Sequence, residues 1–182
     1  MTYLSDPALD TLIGIFVTIL VAMVIYLLQR NRKEITFEVI SDTLILSIGE
    51  EIKNKVQVIF GNKHISDARL VVFRIFNSGN VPILPTDYME NIKFTFGQKS
   101  EVLDAEILES KPTNIKAFIT HETNKVILEP VLLNSQESIK FKVLLINSKV
   151  GTANIAGRIV GINRNLNIAD KRINPKPNIN YI

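Results

Sequence analysis

Apolar residues fill one unbroken stretch near the start of the chain, residues 11–28, which contains no charged residue, Pro, Asn or Gln. A helix of this length spans about 27 Å, close to the thickness of the hydrocarbon core of a bilayer. A soluble helix usually keeps a polar face. The pattern therefore predicts a short tail at 1–10, a transmembrane helix at 11–29 that contacts the lipid bilayer through 11–28, and a linker at 30–34.

Charge on either side of this stretch predicts its orientation. Arg30, Arg32 and Lys33 follow it, whereas the charged residues before it are acidic. A cleaved signal peptide, the alternative, requires a basic start and a cleavage site between small residues, and the sequence has neither. Because basic residues favour the cytoplasmic side, we expect the N-terminus outside the cell and the rest of the chain in the cytoplasm.

Three small residues form a stripe on the predicted helix. Gly14, Thr18 and Ala22 are spaced four apart, so they share one helix face and would let a second helix approach closely. Two interpretations stay open. The stripe is a packing face for a homo-oligomer, or it arises by chance, because these residue types are common in any membrane helix.

From Glu34 onward, apolar and polar residues alternate with a period of two, as in strands that bury one face. The clearest alternating runs are 35–39, 92–96 and 139–143. The run 70–76 is apolar almost throughout and predicts a central strand covered on both faces. The turn residues 61–63 predict a hairpin between 55–60 and 68–76.

Short strands at this spacing predict an all-β domain over 35–162, folded as an antiparallel β-sandwich. Asn77-x-Gly79 ends one strand, and Glu137-Ser138-Ile139 leads into a later one. These turns resemble those of Ig-like β-sandwich domains in bacterial surface and membrane proteins. The layout also resembles bacterial single-pass membrane proteins in which one helix precedes such a domain. The resemblance implies an Ig-like sandwich with an adhesive or scaffolding role, and it assigns no site residue.

The sequence offers few groups for catalysis or metal binding. It has no Cys, and its two histidines, His64 and His121, lie far apart without a spaced partner. Asp104 and Glu106 alternate along a predicted strand and indicate a solvated face rather than a catalytic acid pair. No nucleophile or phosphate-loop motif is present. We therefore expect no catalytic residue, no cofactor, no metal site and no enzymatic activity.

The net charge of +3 comes from the two ends of the chain. Residues 34–162 contain 14 basic and 15 acidic residues, whereas a nucleic-acid-binding domain usually has a basic face, so we expect no nucleic-acid partner. The segment 163–182 contains six Asn and two Pro, which predicts a loose basic tail. That tail is either solvated or in contact with anionic lipid.

A stiff apolar segment follows the predicted central strand. It consists of Pro82, Ile83, Leu84 and Pro85, with Tyr88 and Met89 shortly after. Two interpretations fit the segment: it plugs one end of the sandwich, or it is an exposed contact for a protein partner.

Two functions fit these expectations. In the first, the β-sandwich is a membrane-tethered binding or scaffolding module without catalysis. In the alternative, the protein is a membrane effector: the β domain senses a ligand or partner, and the helix oligomerises to perturb the membrane.

Overall fold

The computed structural model describes residues 7–47, 57–61, 63–65, 67–148, 153–162 and 168–169. The chain divides into two compact units, Met1–Arg32 and Lys33–Ile182. The first unit contains helix α1, and the second contains the β strands.

Helix α1 spans Pro7–Gln29 and is long and apolar enough to cross a membrane. It begins four residues before the predicted start at Thr11. Pro7 can occupy the first helical position because its missing N–H would have no helical partner there. Asp10 lies in the first turn, where the positive end of the helix dipole favours an acidic side chain.

The second unit contains eleven described strands and one 3-10 turn at Pro85–Asp87. In chain order the strands are β1 Ile35–Ser47, β2 Val58–Phe60, β3 Lys63–Ile65, β4 Asp67–Asn77, β5 Tyr88–Thr95, β6 Glu101–Lys111, β7 Ile119–His121, β8 Lys125–Leu128, β9 Ser138–Ile146, β10 Asn154–Ile159 and β11 Ile168–Ala169. One sheet has the order β11-β1-β4-β9-β6, and the other has the order β10-β5-β8-β7.

The two sheets enclose one apolar core. Phe73 of β4 stacks on Phe141 of β9 with ring centroids 5.3 Å apart. Phe94 of the opposite sheet meets Phe141 edge-on at 5.0 Å, a geometry that aromatic pairs favour. All three rings are fully buried. The predicted all-β sandwich preceded by one helix is therefore confirmed.

Three details differ from the sequence predictions. The turn at Gly61 closes a short hairpin of β2 with β3, and β4 pairs with β1 and β9 instead. Strand β4 alternates between buried and half-buried residues, because its outward face is covered only by neighbouring side chains such as Arg74, which lies over the Phe76 ring. Strand β11 falls within the predicted loose tail and pairs parallel with the edge of β1 at Phe37 and Glu38, where an edge strand otherwise leaves backbone groups unpaired. The rest of 163–182 lies outside the described residues.

Candidate interaction surface

Three loops of the sandwich gather at the end where β1 begins, which we call the linker end. The backbone N–H groups of Ser78 and Gly79 donate to the Glu34 carbonyl at 3.0 and 3.2 Å. The N–H of Asn77 donates to the Glu137 carbonyl at 3.1 Å. Strand β6 ends at the same level, because Lys111 pairs with Ser138. The loops 78–87, 112–118 and 129–137 therefore all start or finish beside the linker.

The side chain of Asn77 forms hydrogen bonds with two of these loops, 78–87 and 129–137. Its amide nitrogen donates to the carbonyls of Val81 at 2.8 Å and Leu133 at 3.0 Å. Its amide oxygen accepts from the N–H of Gly79 at 2.9 Å. The side chain is fully buried, so each of these bonds replaces one that water would otherwise make. The sequence predicts a turn at Asn77, but nothing in its pattern indicates the bond to Leu133.

Ile83, from the predicted contact segment, belongs to the core. It forms an antiparallel bridge with Leu133, with backbone bonds of 2.9 and 3.0 Å. Its side chain has an exposed fraction of 0%, so it has no surface to offer a partner. This residue fits the interpretation in which the segment plugs one end of the sandwich.

The other residues of the segment are divided between exposed and half-buried positions. Pro82 and Pro85 are exposed, and Leu84 and Met89 are 47% and 64% exposed. Tyr88 is half-buried and donates its hydroxyl to the Val131 carbonyl at 3.1 Å. Burial raises the pKa of Tyr88 to about 12, because the phenolate would lose its hydration.

Two further exposed apolar residues join Leu84 at the linker end. Leu132 is 42% exposed and Val160 is 49% exposed. The Ile83–Leu133 bridge sets a register that places Leu84 opposite Leu132. We call Leu84, Pro85, Leu132 and Val160 the apolar loop surface. The sequence pattern does not reveal that Leu132 and Val160 are exposed, because an outward-facing apolar residue is of the same type as the inward-facing apolar residue beside it.

Asp87 forms hydrogen bonds both with the linker and with residues of the apolar loop surface. Its carboxylate accepts from the Lys33 ammonium at 2.7 Å and from the Leu84 N–H at 2.7 Å. Its carbonyl accepts from the Val160 N–H at 2.9 Å. The hydrogen bond from Lys33 is the main cause that lowers the pKa of Asp87, and the bond from Leu84 adds to it. Lys33, predicted as a topology determinant, is thus paired with an acid within its own domain, while Arg30 and Arg32 are exposed.

A groove of about 290 Å³ lies beside the apolar loop surface. Residues 114–116 form one wall, and Val131, Leu132, Asn134 and Glu137 form the other. Leu132 therefore contributes to the groove as well as to the apolar loop surface.

The outward face of the five-stranded sheet is covered by ion pairs. Lys140 donates to Glu109 at 2.7 Å, and Lys142 lies 2.7 Å from Glu106. Lys140 lowers the pKa of Glu109, with a smaller effect from Lys111, and Glu106 raises the pKa of Lys142. Because these charges compensate one another across strands, this face is a solvated surface rather than a charged docking site.

The residues considered for chemistry lie apart. His64 and His121 are exposed on β3 and β7, and Asp104 is exposed on β6. Within the described part of the chain, His, Asp and Glu side chains form no group of three that could hold a metal ion.

On α1, the three stripe residues are exposed, and the Thr18 hydroxyl donates to the Gly14 carbonyl at 2.8 Å. A Cβ atom built on Gly14 would meet nothing within 4 Å. The stripe therefore consists of small side chains with open space at Gly14, and its one hydroxyl donor is hydrogen-bonded within the helix.

No protein-family model and no curated protein matches the chain. One solved structure that aligns with it is the CBM3a-L domain with flanking linkers from scaffoldin cipA of the cellulosome of Clostridium thermocellum. The two chains are 11% identical, the alignment covers 72% of this chain and 88% of that chain, and the TM-score is 0.30. A TM-score of this size gives no basis for transferring a function.

Proposed function

We propose that this chain is a single-pass membrane protein whose β-sandwich is a non-catalytic binding or scaffolding module held at the bilayer. Helix α1 carries the proposal. Its apolar side chains are exposed along Pro7–Leu27, and each large apolar side chain left in water costs about 1.5–3 kcal/mol relative to an apolar environment. Lipid removes that cost, whereas water does not.

The β-sandwich supports a binding role in a different way. Residues Lys33–Ile182 form a compact unit with an apolar core of their own. The apolar loop surface is exposed on that unit. We propose that this surface is where the module makes its contact, with the N-terminus outside the cell and the sandwich in the cytoplasm, as Arg30 and Arg32 favour.

Membrane insertion and topology are tested together in intact cells. The chain has no native cysteine, so Lys99→Cys places one reporter at an exposed turn, and Ser5→Cys places another before the helix. The protein should resist extraction by alkaline carbonate. A membrane-impermeant maleimide should label Ser5→Cys in intact cells and Lys99→Cys only after lysis. Extraction into the carbonate supernatant would refute membrane anchoring, and labelling of Lys99→Cys in intact cells would reverse the orientation.

A further inference from the structure

We infer that the partner of the apolar loop surface is the lipid bilayer itself, so that Leu84, Leu132 and Val160 rest in the headgroup region of the membrane that α1 spans. This inference rests on the proposed function, because it requires the helix to be inserted. It specifies the partner of the apolar loop surface, which the proposed function does not name.

The length of the linker limits the distance between the bilayer and the first residue of β1. Five residues, 30–34, separate Gln29 from Ile35, and a fully extended chain of this length reaches roughly 20 Å. The headgroup layer already occupies about 5–8 Å on each side of the hydrocarbon core. The linker end of the sandwich must therefore stay close to the headgroups.

The apolar loop surface belongs to the part of the sandwich nearest the linker. Lys33 bonds to Asp87, and Asp87 bonds in turn to the backbone of Leu84 and Val160. Leu84 therefore already lies close to Lys33, because both residues bond to the same carboxylate oxygen of Asp87. The short linker thus holds the exposed apolar residues of this surface near the membrane, whereas Leu44 and Ile45 are exposed toward the other end of β1.

A protein partner fits this position poorly. A domain of about 100 residues has a radius of gyration near 13 Å, so its diameter exceeds about 30 Å. That is more than the reach of the linker, and a stable protein interface needs about 800 Å² on each side. Lipid needs no such space.

The charges around the surface also suit a headgroup layer. Lys116 is exposed on the neighbouring loop 112–118, where a basic residue near apolar ones favours anionic lipid. Lys111, just before that loop, is exposed but lies 3.2 Å from Glu109. Asp87 is neutralised by Lys33, and Glu129 is an exposed acid on the loop 129–137. Asn77 and Ile83 hold the loops in place, so contact with lipid costs little ordering entropy.

The test uses the full chain reconstituted in vesicles of phosphatidylcholine and phosphatidylglycerol. Leu84→Cys and Leu132→Cys each carry an environment-sensitive NBD fluorophore, and Lys99→Cys is the matched control. The turn at Lys99 follows the far end of β5, about 26 Å along that strand from Tyr88. We expect blue-shifted emission and quenching by brominated lipid at 84 and 132, and neither effect at 99.

Flotation of the vesicles distinguishes insertion of α1 from contact between the apolar loop surface and lipid. Protein that does not float with the vesicles would refute the inserted helix, and with it the proposed function. Protein that floats, keeps its β-sheet circular dichroism and shows no quenching at 84 and 132 would overturn this inference alone. Equal quenching at 84, 132 and 99 would also overturn it, because the sandwich would then have no preferred end at the lipid.

Discussion

The side-chain amide of Asn77 donates a hydrogen bond to the backbone carbonyl of Leu133, 56 residues further along the chain. The bond is buried, and it joins the end of β4 to the loop that precedes β9. The two loops that carry Leu84 and Leu132 are therefore positioned by one side chain that is itself hidden from solvent. Changes at Asn77 should act on the whole linker end.

Asn77→Asp should lower the free energy of unfolding by about 3–5 kcal/mol, because a buried carboxylate would face two carbonyl oxygens instead of donating to them. The measurement is urea unfolding of the full chain in mild detergent, followed by the β-sheet signal in circular dichroism. Asn114→Asp, an exposed change in the loop 112–118 at the same end of the sandwich, is the matched control and should change stability by less than about 0.5 kcal/mol. Equal stability of the two variants would contradict the role of Asn77.

Ile83→Ala and Leu84→Ala should differ strongly although the two residues are adjacent. Ile83 is fully buried, so its truncation leaves a cavity and should cost about 2–5 kcal/mol. Leu84 is about half exposed, and its truncation should cost less than about 1 kcal/mol. The same urea titration measures both. If Leu84→Ala proved as damaging as Ile83→Ala, Leu84 would be a core residue.

Asp87→Asn should destabilise the sandwich by about 1–2 kcal/mol near neutral pH, since it removes the charge that Lys33 contacts. The pKa of Asp87 is lowered in the folded protein, so its contribution is present above the unfolded value of about 4 and is lost as the pH falls through the lower, folded pKa. The stabilities of the wild type and the variant should therefore converge at acid pH.

Glu106→Gln serves as the control for this pH dependence. Its carboxylate pairs with Lys142 but has a side-chain exposure of 61%, so the change should cost less than about 0.5 kcal/mol. A gap between wild type and Asp87→Asn that stays constant from neutral to acid pH would show that the Lys33–Asp87 pair is not its source.

The helix stripe has its own test, which addresses the membrane-effector alternative. If α1 self-associates through Gly14, Thr18 and Ala22, Gly14→Ile should abolish cross-linked dimers in membranes, because an added side chain would separate the helices. Ile19→Phe adds bulk on a different helix face and should leave the dimers intact. Unchanged cross-linking in Gly14→Ile would remove the stripe as an interface.

Much of the architecture could be predicted because it follows from repeated local patterns. The unbroken apolar run predicted α1, and the period of two predicted strands such as β5 and β9. Both signals average over many residues, so single exceptions do not disturb them. The short hairpin of β2 with β3 was missed in part, because three-residue strands are too brief to show a period.

The linker end was harder to predict, since its geometry depends on partners that are distant in sequence. Ile83 and Leu84 are adjacent, apolar and flanked by proline, and only the bridge to Leu133 decides which of them points inward. Leu132 faces outward between two buried neighbours, Val131 and Leu133, and alternation alone cannot separate three apolar residues into inside and outside. In the sequence, Lys33 is one of three basic residues after the helix. Its ion pair with Asp87, 54 residues away, appears only in the structure.

The attachment of β1 to the linker has a mechanical consequence. Tension transmitted through the linker enters the sheet at the start of β1, which is paired with β4 from Ile35 to Ser47. If the load is resisted at the far end of the sandwich, the two strands are pulled lengthwise past each other, and their hydrogen bonds share the force instead of breaking one at a time. The strand that joins the domain to its helix is thus placed to carry strain without peeling away from its sheet.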